Sequence, residues 1–156
     1  MGNEMLKPFF ESVPAVFFQM FGLEVKNAKP AVVHGNESHN WEVSGLLGIT
    51  GSNQGIIALR FARNTVDELL KASGVESSDE QDRLAMASSL VAETANIIAG
   101  NAIAAFSDKD LDIAPPVVVK GVNHEISWPK IAPVLAAVYS SAYGTFELAV
   151  CFDTKS

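Results

Sequence analysis

Residues 80–106 read EQDRLAMASSLVAETANIIAGNAIAAF. This stretch decides the fold, because its apolar residues recur at helical spacing from end to end. Just ahead of it, SSDEQDRL offers two overlapping capping boxes, Ser77 with Glu80 or Ser78 with Gln81. A helix running from there to about Phe106 would be about 42 Å long, the longest element in the chain. The other elements have to pack around this rod.

The polar residues of the rod fall in a pattern. At about 100° per residue, with Ser89 as zero, Glu93 falls near 40°, Asn96 near −20° and Gly100 near 20°. The four share an arc of about 60°, while Leu90, Val91, Ile97 and Ile98 lie outside it. An amphipathic helix ordinarily wets one face with many Lys, Glu and Arg residues. Here Glu93 is the only charged residue from Ala85 to Ala105. Small side chains, Ala92, Gly100 and Ala104, flank the stripe. Such a surface admits another molecule closely while presenting two polar groups.

Strand patterns surround the helix. Trp41, Val43, Leu47 and Ile49 alternate with Glu42, Ser44 and Thr50, and Ile57, Leu59 and Phe61 resume the alternation with Arg60 opposite. Gly51-Ser52-Asn53-Gln54-Gly55 separates the two runs, so the segment reads as a β-hairpin. No Gly-Lys-Ser/Thr follows these glycines, which excludes a phosphate loop. Asn64 reads as the N-cap of a short helix carrying Val66, Leu69 and Leu70 and stopped by Gly74. Leu6, Phe9, Phe10, Val13, Phe17 and Met20 take helical spacing near the start, with Pro8 in the first turn and Pro14 expected to kink or split the helix. The next segment, LEVKNAKPAVV, reads as extended and broken at Pro30. Beyond the long helix, Val117–Val119, the alternating Val134, Ala136 and Val138, and the alternating Phe146, Leu148, Val150 and Phe152 read as strands. The fold class is α+β: an antiparallel-leaning sheet with the long helix and shorter helices packed against it, in one domain over residues 1–156.

Composition excludes several function classes. The net charge is −7, and no Lys or Arg cluster offers a phosphate-binding surface, so neither nucleic acid nor an anionic membrane is an expected partner. No apolar run approaches the ~20 residues that span a bilayer. The N-terminus carries no secretory pattern and, with Leu6, no myristoylation pattern, so a soluble cytoplasmic protein is expected. Without an export signal, the triplet Asn36-Glu37-Ser38 carries no glycosylation meaning. Cys151 is the single cysteine and sits in the apolar run TFELAVCF, where it reads as a small hydrophobe. None of His34, His39 and His124 has ligand spacing to another His or a Cys. A metal site is unsupported, and each histidine reads as a surface or capping residue.

A carboxylate accepts hydrogen bonds and pairs with a cation, while a carboxamide both donates and accepts and can orient a water molecule. The pair contains no nucleophile with its base. It suits a reaction in which a partner supplies the difficult parts, such as phosphoryl hydrolysis, where positioning and electrostatics dominate.

The segment ETANIIAGNA closely resembles the signature helix of the CheC/CheX group of phosphatases, which act on phosphorylated CheY-type response regulators. The family pattern is Asp or Ser, three residues, Glu, two residues, Asn and a later Pro; here Ser89, Glu93 and Asn96 match it, followed by Gly100-Asn101-Ala102. PFFESVPAVFFQMFGLEVKNAKP resembles the CheX N-terminal helix and its exit, EVSGLLGITGSNQGIIALRFA the CheX hairpin, and APPVVVKG the strand after the signature helix. The resemblance covers nearly the whole chain. It implies that Asn96 enters the receiver's acid pocket and orients water for in-line attack on the aspartyl phosphate. It further implies that Glu93 pairs with the receiver's lysine, that Ser89 helps place the helix, and that Ser89, Glu93 and Gly100 contact the partner. The phosphorylated CheY-type receiver would bring its own Mg²⁺, with no cofactor or metal bound by this chain. The single motif resembles CheX, whose members act as homodimers, rather than CheC with its two. The interval from Asn96 through FSDKDLDIA is shorter than the family's, which leaves Pro115 and Pro116 both open as the matching proline. Two other readings remain: a non-catalytic CheX-like module that binds a receiver or another signalling protein, and an unrelated domain whose helical stripe binds a small ligand.

Overall fold

The computed structural model describes residues 2–26, 29–33, 41–106, 110–121 and 124–154. His34, His39, the Asn36-Glu37-Ser38 triplet and residues 107–109 lie outside them. The described residues form helices α1 (Gly2–Phe21), α2 (Arg63–Ala72) and α3 (Glu80–Ala104). The strands are β1 (Ala31–Val32), β2 (Val43–Gly51), β3 (Gly55–Phe61), β4 (Leu111–Ile113), β5 (Val117–Lys120), β6 (Val134–Ser141) and β7 (Gly144–Phe152).

The strands form a seven-stranded sheet in the order β1-β6-β7-β3-β2-β4, with β5 pairing β2 beside β4. Every ladder is antiparallel. The α+β expectation therefore holds, and so does the β2–β3 hairpin; Phe146, Leu148, Val150 and Phe152 share one face of β7, although from Leu148 to Phe152 both faces are buried. Register explains why. Gly45, Leu59, Leu148 and Ala137 stand opposite one another across β2, β3, β7 and β6, and they face the helices. The next line, Ser44, Arg60, Glu147 and Val138, faces away.

The core lies between the sheet and the helices. From α1 it takes Leu6, Phe9, Phe10, Val13, Val16 and Phe17. Phe17 stacks on Phe146 with ring centroids 4.3 Å apart, and Tyr139 also stacks on Phe146, at 5.3 Å. Such aromatic pairs add to the area they bury.

Three local expectations need correction. Helix α1 runs unbroken through both Pro8 and Pro14, and Pro8 lies in its interior rather than its first turn. A proline removes the N–H that would bond the carbonyl four residues earlier; for Pro14 that carbonyl is Phe10's, and the buried Tyr139 hydroxyl donates to it instead. Helix α2 begins at Arg63 after Ala62, with no side-chain cap, so Asn64 lies inside the helix. Its end is as expected: Gly74 takes φ +79°, and the Val75 N–H reaches back to the Leu70 carbonyl at 2.9 Å. Helix α3 is capped by Asp79, which accepts from the Gln81 N–H at 3.1 Å, rather than by Ser77 or Ser78. Asp caps as well as Ser, and its charge suits the positive end of the helix dipole. Ser77 instead accepts from the Asp79 N–H at 3.2 Å, bracing the cap.

Part of the outer sheet face is covered by the segment 124–133. The Cys151 thiol donates to the carbonyls of Ala132 (3.4 Å) and Pro129 (3.6 Å). Cys151 is fully buried, as its apolar run suggested, and burial pushes its thiol up from its ordinary range.

Candidate functional site

Helix α3 buries Ala87, Val91, Thr94, Ala95, Ile98, Ala99 and Ala102. These side chains settle one side of the rod against β2, α1 and α2. The opposite side is the polar stripe. Ser89, Glu93 and Asn96 are exposed, Gly100 and Ala92 are half-buried, and Ala85 and Ala104 are exposed. Thr94, the polar residue between Glu93 and Asn96, points inward instead. It is fully buried and its hydroxyl donates to the Leu90 carbonyl at 2.7 Å. This back-bond satisfies the hydroxyl without drawing on either stripe residue.

Among the described residues, neither Glu93 nor Asn96 has an ion-pair or side-chain hydrogen-bond partner. Both groups therefore remain available to a visitor. An added Cβ at Gly100 would meet nothing closer than Ile113 Cδ1 at 3.9 Å, so local packing does not require glycine there. Close approach by another molecule would. The nearest charge network, at the start of α3, is internally paired: Arg83 meets Asp67 at 2.6 Å, and Arg63 bonds Glu80.

Other constellations do less. Ser44 and His124 lie 2.6 Å apart, the distance of a nucleophile–base pair. Nδ1 of His124 lies 2.8 Å from the Gly121 carbonyl, which can only accept, so in the neutral ring Nδ1 carries the hydrogen and Nε2 accepts from Ser44. Ser44 Oγ in turn accepts from Arg60 Nε at 3.1 Å. Ser44 is fully buried, and a backbone carbonyl stands where a catalytic pair would use a carboxylate. This chain of bonds is a clasp that ties the segment beginning at His124 to the sheet. Sequence reasoning missed it, because the covering segment has no periodicity to announce it.

Among the described residues no three His, Cys, Asp or Glu side chains gather as a metal-ligand set, and no helix is long and apolar enough to cross a membrane. An open groove of about 690 Å³ lies between the end of α1 and the β6–β7 turn, lined by Pro14, Phe18, Leu23, Lys26 and Ser141 among others. It includes no residue of α3, so it offers the stripe no small-ligand pocket.

A profile described as "Chemotaxis phosphatase CheX" matches residues 43–139. A search of curated proteins gives no match. Solved structures do match. A chemotaxis protein CheX from Desulfovibrio desulfuricans is 29% identical, with a TM-score of 0.80 over 96% of this chain and 99% of that one. A CheC-like superfamily protein from Shewanella sp. PV-4 is 30% identical, with a TM-score of 0.82 over 97% and 99%. A CheX from Borrelia burgdorferi, solved in a complex with CheY, BeF3 and Mg²⁺, is 26% identical, with a TM-score of 0.79 over 94% and 96%. The profile spans more than half of the sequence and includes β2 and the whole of α3, and the chain belongs to the CheX family.

Proposed function

We propose that this protein hydrolyses the aspartyl phosphate of a CheY-type receiver. Asn96 orients the attacking water, and Glu93 pairs with a receiver lysine. One observation carries the reading: a carboxylate and a carboxamide stand exposed on one face of a buried-backed helix, with no partner of their own among the described residues. The complex of a Borrelia CheX with CheY supports a receiver as the partner.

The chemistry divides between the two proteins. The receiver brings the phosphoryl group and Mg²⁺, and neutralises charge on the transferring oxygens. This chain adds an amide that can accept a hydrogen from water while its N–H₂ holds a receiver oxygen. Glu93 fixes the register of docking through a charge-assisted bond. Ser89 and Gly100 border the contact on the same face. The active form is a homodimer working in the cytoplasm.

The test is phosphate release. Purified protein is mixed with CheY-type receivers phosphorylated by a small phosphodonor in Mg²⁺. Release well above the receiver's own rate is expected for at least one of them. Binding with no acceleration from any receiver would leave a docking module in place of an enzyme.

A further inference from the structure

The polar stripe can act only if the helix that carries it stands at a fixed height above the sheet. At one contact the fit leaves no room for a side chain on the strand. Gly45 of β2 faces α3, and a Cβ built there would lie 2.9 Å from Val91 Cγ1, 3.3 Å from the Val91 carbonyl oxygen and 3.5 Å from Ala95 Cβ. A separation of 2.9 Å is closer than real Cβ contacts come, so bare strand backbone is what lets this turn of α3 settle. Val91 and Ala95 are fully buried. By the helical period both sit about 160° away from Glu93, while Val91 lies about 140° and Ala95 about 100° from Asn96 on the same turns.

The strand cannot yield to relieve a contact there. Strand β2 is hydrogen-bonded along one edge to β3 and along the other to β4 and β5. On its outer face, the neighbouring Ser44 is held by Arg60 and His124. Val91 is β-branched and stiff at χ1. The helix, held to β2 by side-chain packing, is the part that moves.

We propose that Gly45 is a positioning residue for the reaction at Asn96 and Glu93, setting the height of the 91–96 turn of α3. This rests on the reading of those two residues as the reacting face. A displacement of a few tenths of an ångström hardly changes docking, which long side chains absorb. It does misalign a water that must sit in line with the breaking bond.

The test is steady-state hydrolysis of one phosphorylated CheY-type receiver by the parent protein and four variants. Gly45→Ala is expected to lower kcat about tenfold with KM changed less than about twofold. Gly48→Ala is the control. It adds the same methyl to the same strand on the outer face, where the nearest atom is Ala114 Cβ at 3.8 Å, and it keeps the parent kcat. Val91→Ala removes the clashing methyl, and Gly45→Ala/Val91→Ala is expected to recover most of the kcat lost in Gly45→Ala. Should Gly45→Ala fail to fold, the double variant decides, because it removes the closest contact. Unchanged kcat in Gly45→Ala, or a folded double variant that stays slow, overturns the proposal. If the parent protein does not accelerate hydrolysis, the proposed function fails and takes the positioning role with it. An active parent with an indifferent Gly45→Ala removes the positioning role alone.

Discussion

The Tyr139 hydroxyl donates to the Phe10 carbonyl at 3.0 Å, across 129 positions of sequence, and Phe10 stands four residues before Pro14. The bond replaces the helical donor that the proline lacks. Without it, a buried carbonyl would lose its substitute partner. Tyr139→Phe keeps the stacked ring and removes only the hydroxyl. A loss of about 1–3 kcal/mol in chemical denaturation is expected. A loss within error of zero would mean that the Phe10 carbonyl finds another donor.

The same hydroxyl links stability to alkaline pH. Burial raises the Tyr139 phenol well above its ordinary value near 10. A raised folded-state pKa means that the contribution is complete below the unfolded value. It is lost as pH climbs above that value, where the unfolded chain releases a proton that the folded chain retains. Stability should fall with pH above about 10, this group contributing up to about 1.4 kcal/mol per unit. Tyr139→Phe should show a shallower alkaline decline. Parallel curves for the two proteins would remove Tyr139 as the source.

Much of this fold is legible in the sequence, because its elements carry clean periods. Alternation over Val43–Ile49, Ile57–Phe61 and Phe146–Phe152 gives the central strands. The 100° arithmetic on α3 gives the exposed stripe, since the sheet claims only one side of that helix. What escapes the sequence depends on distant contacts. The continuity of α1 through Pro14 needs a hydroxyl on β6. The burial of Ser44 needs His124 to fold over from an aperiodic segment. The tight seat of Gly45 under Val91 needs both the register of β2 and the rotation of α3. Asp79 over Ser77 or Ser78 as the cap is a choice among neighbours of similar propensity, decided by first-turn geometry.

Arg60 and Glu147 face each other across β3 and β7, with N and O 3.8 Å apart, on the outer face of the sheet. Burial pulls the Arg60 guanidinium down, and the carboxylate of Glu147 partly restores it. Breaking such a pair costs more than forming it yields, because a poorly hydrated charge stays behind. Glu147→Gln is expected to lose about 1–3 kcal/mol. Arg60→Met with Glu147→Leu, which removes both charges, should lose less than the sum of the single changes. A strictly additive pair would show that the two side chains do not interact.

Asn96 and Glu93 should fail in different ways. Asn96→Ala removes an amide whose oriented water matters in the transition state, so phosphate release should fall about 10²-fold or more while receiver binding stays within a few-fold. Glu93→Ala removes a group used in docking, so both binding and rate should fall. The lysine assignment can be checked directly. If Glu93 pairs with a receiver lysine, replacing that lysine as well should weaken binding by less than the two single losses combined. Binding of a receiver to Glu93→Ala at parental affinity would remove the ion pair, and parental turnover by Asn96→Ala would remove the oriented water.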